Sequence, residues 1–331
     1  MSYRAYPFAT LFCILLFALG CTSISPSVDR PKESTSQNYR RDPKYAPLVE
    51  GILSAWNQAD LVCLGEDHGS KQDSDLRIAL VNNPQFARIV KLIVVEFANP
   101  VHQDVLDRFI LEGKEVPHDE LASVWRDASN PQTWDSPVYE AFLRAVREAN
   151  QRLPIWARLM RSQRVRVIGG DSPIDWKKIS TPEQLAPLLN RNGNIHNILA
   201  QQVLEKHVKA LAIYGSAHCE KATMGFPYAL SRIWSISSLR GPRNWKPFGL
   251  SDEPAYIKVS GTKWASLPSS LFDAEAQGRF GDLLDAIVWY GDTSDVVIHG
   301  DTTELEAKYG TELERRARLI DEVYEINRRK Q

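Results

Sequence analysis

The sequence predicts an α/β protein: a central, mostly parallel sheet flanked by helices, with one helical and one loop-rich insertion. Three observations predict it. Short apolar runs rich in β-branched residues alternate with longer segments of helical period. The runs are nearly all apolar rather than alternating, as expected of strands covered on both faces. The chain has 331 residues, 43% of them hydrophobic, which is enough for a large core. Its formal net charge is −1, so no nucleic-acid footprint is seen and no nucleic-acid partner is expected.

Residues 1–21 read as a leader rather than as part of the fold. Arg4 puts a positive charge near the start, and residues 8–19 form an apolar run of signal-peptide length, short for a membrane-spanning helix. The run ends in Phe17-Ala-Leu-Gly-Cys21, small residues before a cysteine that resemble a bacterial lipobox. That resemblance implies a lipoprotein signal peptide, lipid on Cys21 and a membrane-anchored protein of the bacterial cell envelope facing the periplasm. An ordinary secretory signal or a short anchor is the alternative. Residues 22–44 are polar and rich in Ser and Pro, a tether leading to a single domain over residues 45–331. Within that domain only Cys63 and Cys219 remain. They fall beside separate strand ends, and two cysteines make no framework, so free thiols are expected, with pairing in an oxidising compartment left open.

The domain opens with a helical pattern over residues 47–58, with Leu48, Ile52, Leu53 and Trp56 on one face. The first strand is the run LVCL at 61–64, closed by Gly65-Glu66-Asp67-His68. Helical period follows over 76–90, broken at Pro84. The second strand, LIVV at 92–95, runs into Glu96. A helix is expected at 101–111, and residues 117–163 look all-helical, with Trp125, Trp134 and Trp156 and a strong pattern at 138–149. The third strand, VRVI at 165–168, ends in Gly169-Gly170-Asp171. After a helix at 195–209, the fourth, ALAIY at 210–214, ends in Gly215-Ser216-Ala217-His218. Residues 239–272 are rich in Gly, Pro and aromatics and read as loops with a short strand at 256–259. The last strand, AIVWY at 286–290, ends in Gly291-Asp292, and a helix at 312–328 closes the chain.

Ligands of open α/β sheets sit beyond the carboxyl ends of the strands. The strand-end residues therefore define the candidate site: Glu66, His68, Glu96, Asp171 and His218. Asp67 fits a different role, capping a helix that begins near Ser70. Glu96 follows three β-branched residues and precedes Phe97, so burial is expected, and a buried carboxylate needs a partner. His68 or His218 would supply it, and a carboxylate–histidine pair is the arrangement of a general base.

Gly65-Glu66-x-His68 after the first strand, an acid ending the second and Gly215-Ser-Ala-His218 later resemble the erythromycin-esterase/ChaN-like superfamily, which also takes in TraB/TIKI-type proteins. The resemblance spans roughly residues 45–300. It implies a largely parallel sheet and a site built from Glu66, His68, Glu96 and His218. Esterase-like members activate water with a histidine, TIKI-type relatives are metal-dependent peptidases, and ChaN-like lipoproteins bind haem. Esterase-like members carry an Arg-Asp motif on a helix before the second histidine. The corresponding stretch here, residues 190–197, offers Arg191, Asn194 and His196 instead, which argues against a macrolide esterase.

The leading expectation is a hydrolase of ester- or amide-type small molecules. His68 is its base, Glu66 and Glu96 orient that base, and His218 serves the departing group. No Gly-x-Ser-x-Gly elbow is present, so water attacks directly. A divalent metal on Glu66, His68, Glu96 and His218 is the metal-assisted version. The alternative is a haem- or iron-binding uptake lipoprotein, with Tyr214 and His218 as candidate iron ligands.

Overall fold

The computed structural model describes residues 43–221, 231–239, 250–271, 278–291 and 294–330. Two units are distinguished, Met1–Ser34 and Thr35–Gln331, and every described residue lies in the second. The leader, Cys21 and most of the tether fall outside the described residues, as does Asp292. Among the described residues no helix is long and apolar enough to cross a membrane.

Among the described residues, seven strands form one sheet: β1 (Leu61–Glu66), β2 (Leu92–Val95), β3 (Arg166–Gly169), β4 (Ala210–Gly215), β5 (Ile233–Leu239), β6 (Ala255–Lys258) and β7 (Ala286–Trp289). Their order is β3-β2-β4-β1-β5-β7-β6. Every pairing is parallel except β6 with β7. The predicted α/β class is therefore the fold observed, and the short strand expected near Tyr256 is its antiparallel edge. β1, β2, β4 and β7 are buried along their whole length, as their unbroken apolar runs require. The strand β5 was not anticipated from the sequence. Its run IWSISSL is interrupted by Ser235, Ser237 and Ser238, all buried. Two of these serines are held by aspartates: Asp285 accepts from the Ser235 amide at 3.0 Å, and Asp73 accepts from the Ser238 hydroxyl at 3.4 Å.

Helices cover the sheet. The helix Ala46–Ala55 buries Leu48, Val49, Ile52 and Leu53, and the following Trp56 donates its indole N–H to the Ala210 carbonyl at 3.1 Å, fixing it to the start of β4. The helix Lys71–Asn82 ends before Pro84, where the predicted break falls, and a turn of helix resumes at Phe86–Ile89. Its cap is Ser70, whose hydroxyl accepts from the Asp73 amide at 3.0 Å. That corrects the capping role expected of Asp67, whose own amide donates to Asp73 Oδ2 at 2.9 Å. The segment 117–163 is helical as expected, with His118–Arg126, Pro131–Trp134, Pro137–Gln151 and Ile155–Leu159. The helix Thr302–Lys330 closes the chain. In the loop-rich stretch at 239–272, residues 240–249 and 272 lie outside the described residues.

Cys63 and Cys219 form a disulfide, with Cα atoms 5.4 Å apart. The expectation of free thiols is thus corrected. The two lie beside strand ends far apart in sequence, but β1 and β4 are neighbours, with Cys63 opposite Ala212. The short helix Ser216–Cys219 folds back against β1, which brings the two sulfurs together in a fully buried position.

Candidate functional site at the carboxyl edge of the sheet

The order β2-β4-β1 places the carboxyl ends of three strands side by side, so Glu96, Gly215 and Glu66 share one edge. Glu66 is the last residue of β1 and stands opposite Gly215. Its carboxylate is buried and fully used. Oε1 accepts from the Tyr139 hydroxyl at 3.1 Å and faces His68 Nδ1 at 3.0 Å, while Oε2 forms an ion pair with buried Arg77. A buried charge survives only with such compensation. Tyr139 comes from the first turn of the helix Pro137–Gln151 and also accepts from the Gly69 amide at 3.0 Å. Burial pushes its phenol up to about 12, so it acts as a neutral hydrogen-bond donor.

Glu96 follows β2 directly and is equally buried. Its Oε2 accepts from the Gly215 amide at 2.6 Å, its Oε1 pairs with Arg191, and His218 Nε2 lies 3.5 Å from Oε1. Arg191 is the first residue of the helix Arg191–Leu199, whose start is capped by Asn190. Among the stand-ins for an Arg-Asp motif, Arg191 reaches Glu96. Asn194 instead donates to Ser172 Oγ and the Leu188 carbonyl.

His68 projects from the turn after β1, its side chain 38% exposed. Its ring meets Trp134 edge-on, with centroids 4.4 Å apart. With Nδ1 at Glu66, the second ring nitrogen is directed toward Gly215. A Cβ at that glycine would lie 3.2 Å from His68 Nε2, 3.0 Å from Cε1 and 3.5 Å from Glu96 Oε2. Glycine at 215 is therefore what lets the two halves of the site approach. Burial lowers the imidazole pKa of both His68 and His218 below 6.5; Glu96 raises it and Arg191 lowers it again. Both rings are thus neutral near pH 7, and a neutral imidazole with one nitrogen held by a carboxylate keeps a lone pair on the other.

Asp171 ends β3 at the outer strand and does not join the glutamate–histidine group. It accepts from the amide of Ser129 and from its hydroxyl, the latter at 2.8 Å. Burial raises its pKa against the hydrogen bonds from Ser129 and Ser172. Tyr214, a candidate iron ligand, is fully buried and donates its hydroxyl to the Gly170 carbonyl at 3.1 Å. Burial also holds its phenol well above 10.0, and the buried hydroxyl is turned to the Gly170 carbonyl.

Among the described residues no group of three or more His, Cys, Asp or Glu is arranged to hold a metal ion. The residues expected as a divalent-metal set, Glu66, His68, Glu96 and His218, are not grouped in that way. Each carboxylate already has an arginine, Arg77 or Arg191, in the place a cation would take. Sequence reasoning missed Arg77, Tyr139 and the Trp134 contact. The legible signal for Arg77 was an arginine inside the apolar stretch Leu76–Val81.

The fold and this edge define a parallel α/β protein with a Glu–His–Arg group on neighbouring strand ends. Residues 52–191 match the family described as Haem-binding uptake, Tiki superfamily, ChaN. That match supports the ChaN-like superfamily read from the motifs, and its span holds Glu66, His68, Glu96, Asp171 and Arg191. A crystal structure of a Bacillus cereus protein is 13% identical with a TM-score of 0.51, covering 80% of this chain and 99% of its own. A succinoglycan biosynthesis protein is also 13% identical, with a TM-score of 0.50 and coverage of 82% and 100%. At that identity these two likenesses establish the fold alone. ChaN of Campylobacter jejuni, described with cofacial heme binding, is 17% identical with a TM-score of 0.36, covering 60% of this chain and 88% of its own. No curated protein matches the chain. Nothing in these comparisons supports the hydrolase expected from the sequence, whereas the family match favours the haem-binding alternative.

Proposed function

We propose that this chain binds haem as cargo at the carboxyl edge of its sheet, as an uptake protein of the bacterial envelope. The observation that carries the reading is the haem-binding uptake family match over residues 52–191. The donor set fits one axial imidazole. His68 is part-exposed, its Nδ1 faces Glu66, and its Nε2 keeps a lone pair. A carboxylate behind the far nitrogen fixes the tautomer and strengthens an imidazole ligand. An apolar lip lies next to it. Val296 and Val297 are exposed and run beside Gly69, with the Ile298 amide donating to the Gly69 carbonyl at 2.8 Å. Arg191 is the nearby cation for a propionate. His218 stays the second imidazole of the group, whereas Tyr214 does not fit. Haemin titrated into the full chain gives a saturable Soret shift on this reading. A linear, unsaturable response at all ratios removes it.

One observation favours a second reading. The Glu66–His68 pairing at 3.0 Å is also the arrangement of a general base acting on water. Ester turnover that disappears in a folded His68→Ala chain, with no haem response, would select the hydrolase.

The envelope placement rests on the lipobox-like run before Cys21. The Cys63–Cys219 disulfide supports it, since such bonds persist in oxidising compartments. Mass spectrometry of the mature amino-terminal peptide tests it. A diacylglyceryl group on Cys21 is expected, and an unmodified peptide retaining residues 1–20 contradicts it.

A further inference from the structure

The edge opposite the site carries a surface that haem binding does not use. The short helix Ile155–Leu159 precedes β3 and so lies toward the amino edge of the sheet. It buries only Ala157. Ile155 is 69% exposed, Trp156 61%, Leu159 79% and the adjoining Met160 47%. Four large apolar side chains exposed within six residues mark an interaction surface rather than scattered surface apolarity.

The charge around them is one-sided. Residues 152–166 contain Arg152, Arg158, Arg161, Arg164 and Arg166 and no acid. A cleft of about 220 Å³ beside the helix is lined by Lys91, Arg161, Arg164, Arg166 and Lys206, again without an acid. Neighbouring groups compensate only part of this. Asp107 is shared by Arg161 at 3.0 Å and Arg166 at 2.8 Å, Arg152 faces Glu148 at 3.6 Å, and Glu112 is paired with Lys114 at 2.8 Å. Arg164 donates to the Leu111 carbonyl, Lys91 to the carbonyls of Ala87 and Gln163, and Lys206 to the Gln202 side chain. These are neutral acceptors, so their positive charge remains available.

The chain enters the described fold at the same place. Pro43 and Ala46 line a cleft of about 370 Å³ with Asn82, Asn83, Pro84 and Arg152. Those last four residues also line the cleft of about 470 Å³ that Trp156 and Ala157 close.

We propose that the 155–160 segment and its arginines form a docking surface for an anionic phospholipid bilayer. Trp156, Ile155, Leu159 and Met160 enter the interface, and the basic cleft receives lipid phosphates. Aromatic and aliphatic side chains on one face with cations around them are what an interfacial helix requires. This contact is independent of any lipid on Cys21 and of the identity of the cargo. It turns the carboxyl edge, with His68 and Glu96, away from the membrane.

The test uses residues 35–331, the unit that holds every described core residue, so that the apolar leader does not contribute. It is sedimented with vesicles of phosphatidylcholine alone or with about a third phosphatidylglycerol. The wild type sediments with the anionic vesicles and stays in solution with the neutral ones. Arg158→Glu with Arg161→Glu, and separately Trp156→Ala with Leu159→Ala, each lower the bound fraction at least ~10-fold. All four positions are exposed; thermal unfolding checks that each variant folds, with a small fall expected where Arg161→Glu loses its 3.0 Å pair with Asp107. Three outcomes overturn the proposal. One is equal sedimentation with both vesicle types or with neither, and another is indifference to the charge reversals. The third is a dimer in solution that Trp156→Ala dissolves, which would make the patch an interface between copies of this chain.

Discussion

Replacing Arg77 by Met tests how the site is held together. Arg77 and Glu66 are both almost fully buried, with side chains 2% exposed, and they form an ion pair. Arg77→Met keeps length and apolar contact but strands the Glu66 carboxylate. It then has only the Tyr139 hydroxyl at 3.1 Å and His68 at 3.0 Å. Breaking a buried pair by removing one partner costs ~3–5 kcal/mol, because an uncompensated charge stays behind. For a domain of this size that lowers Tm by roughly 6–12 °C. The assay is equilibrium denaturation in guanidinium chloride with linear extrapolation, run on Arg77→Met, Glu66→Gln and the double variant. In the double variant the stranded charge is gone, so most of the loss is regained and the cycle shows strong coupling. A loss below ~1 kcal/mol in Arg77→Met, or simple additivity in the double variant, would refute the reasoning.

Three further predictions follow from the same contacts. Replacing Cys63 and Cys219 together by Ala releases a bridge spanning 156 residues, and a loss of ~2–5 kcal/mol is expected in denaturant titrations. Gly215→Ala drives a Cβ to 3.0 Å from the His68 ring; haem affinity falls in Soret titrations while far-UV circular dichroism is kept. For pH, the folded pKa values of His68 and His218 lie below 6.5, so the unfolded chain binds more protons as pH falls. Their contribution is complete above 6.5 and is lost as pH drops through 6.5 toward the folded values. The thermal unfolding temperature should fall as pH drops across that window, and His68→Gln should flatten the dependence. Asp171, raised above 3.8 by burial, acts oppositely, from 3.8 up to its folded value.

Much of the fold was legible because burial on both faces writes itself as apolar runs, interrupted in β3 by Arg166. The runs at 61–64, 92–95, 165–168, 210–214 and 286–290 became β1, β2, β3, β4 and β7. β5 was not legible because its serines disguise a buried strand, and their partners, Asp285 and Asp73, are distant in sequence. The strand-end rule brought Glu66, His68, Glu96 and His218 to one edge, but treated Asp171 as equivalent. β3 is the outermost strand on that side, so its end faces the 127–129 turn rather than the group. The arginines were harder to place. Arg77 lies on a buried helix face and Arg191 at a helix start, and nothing local ties either to a carboxylate. Pairing of Cys63 with Cys219 depended on the strand order β4-β1 and on a helical turn folding back, neither of which spacing reveals.

The most direct test of the account is a haemin titration of the oxidised full chain beside its His68→Ala and Tyr214→Phe variants, read at the Soret band. The account predicts saturable binding by the wild type, loss or strong weakening in a folded His68→Ala chain, and little change in Tyr214→Phe. Wild-type-like binding by His68→Ala, or loss confined to Tyr214→Phe, would contradict it.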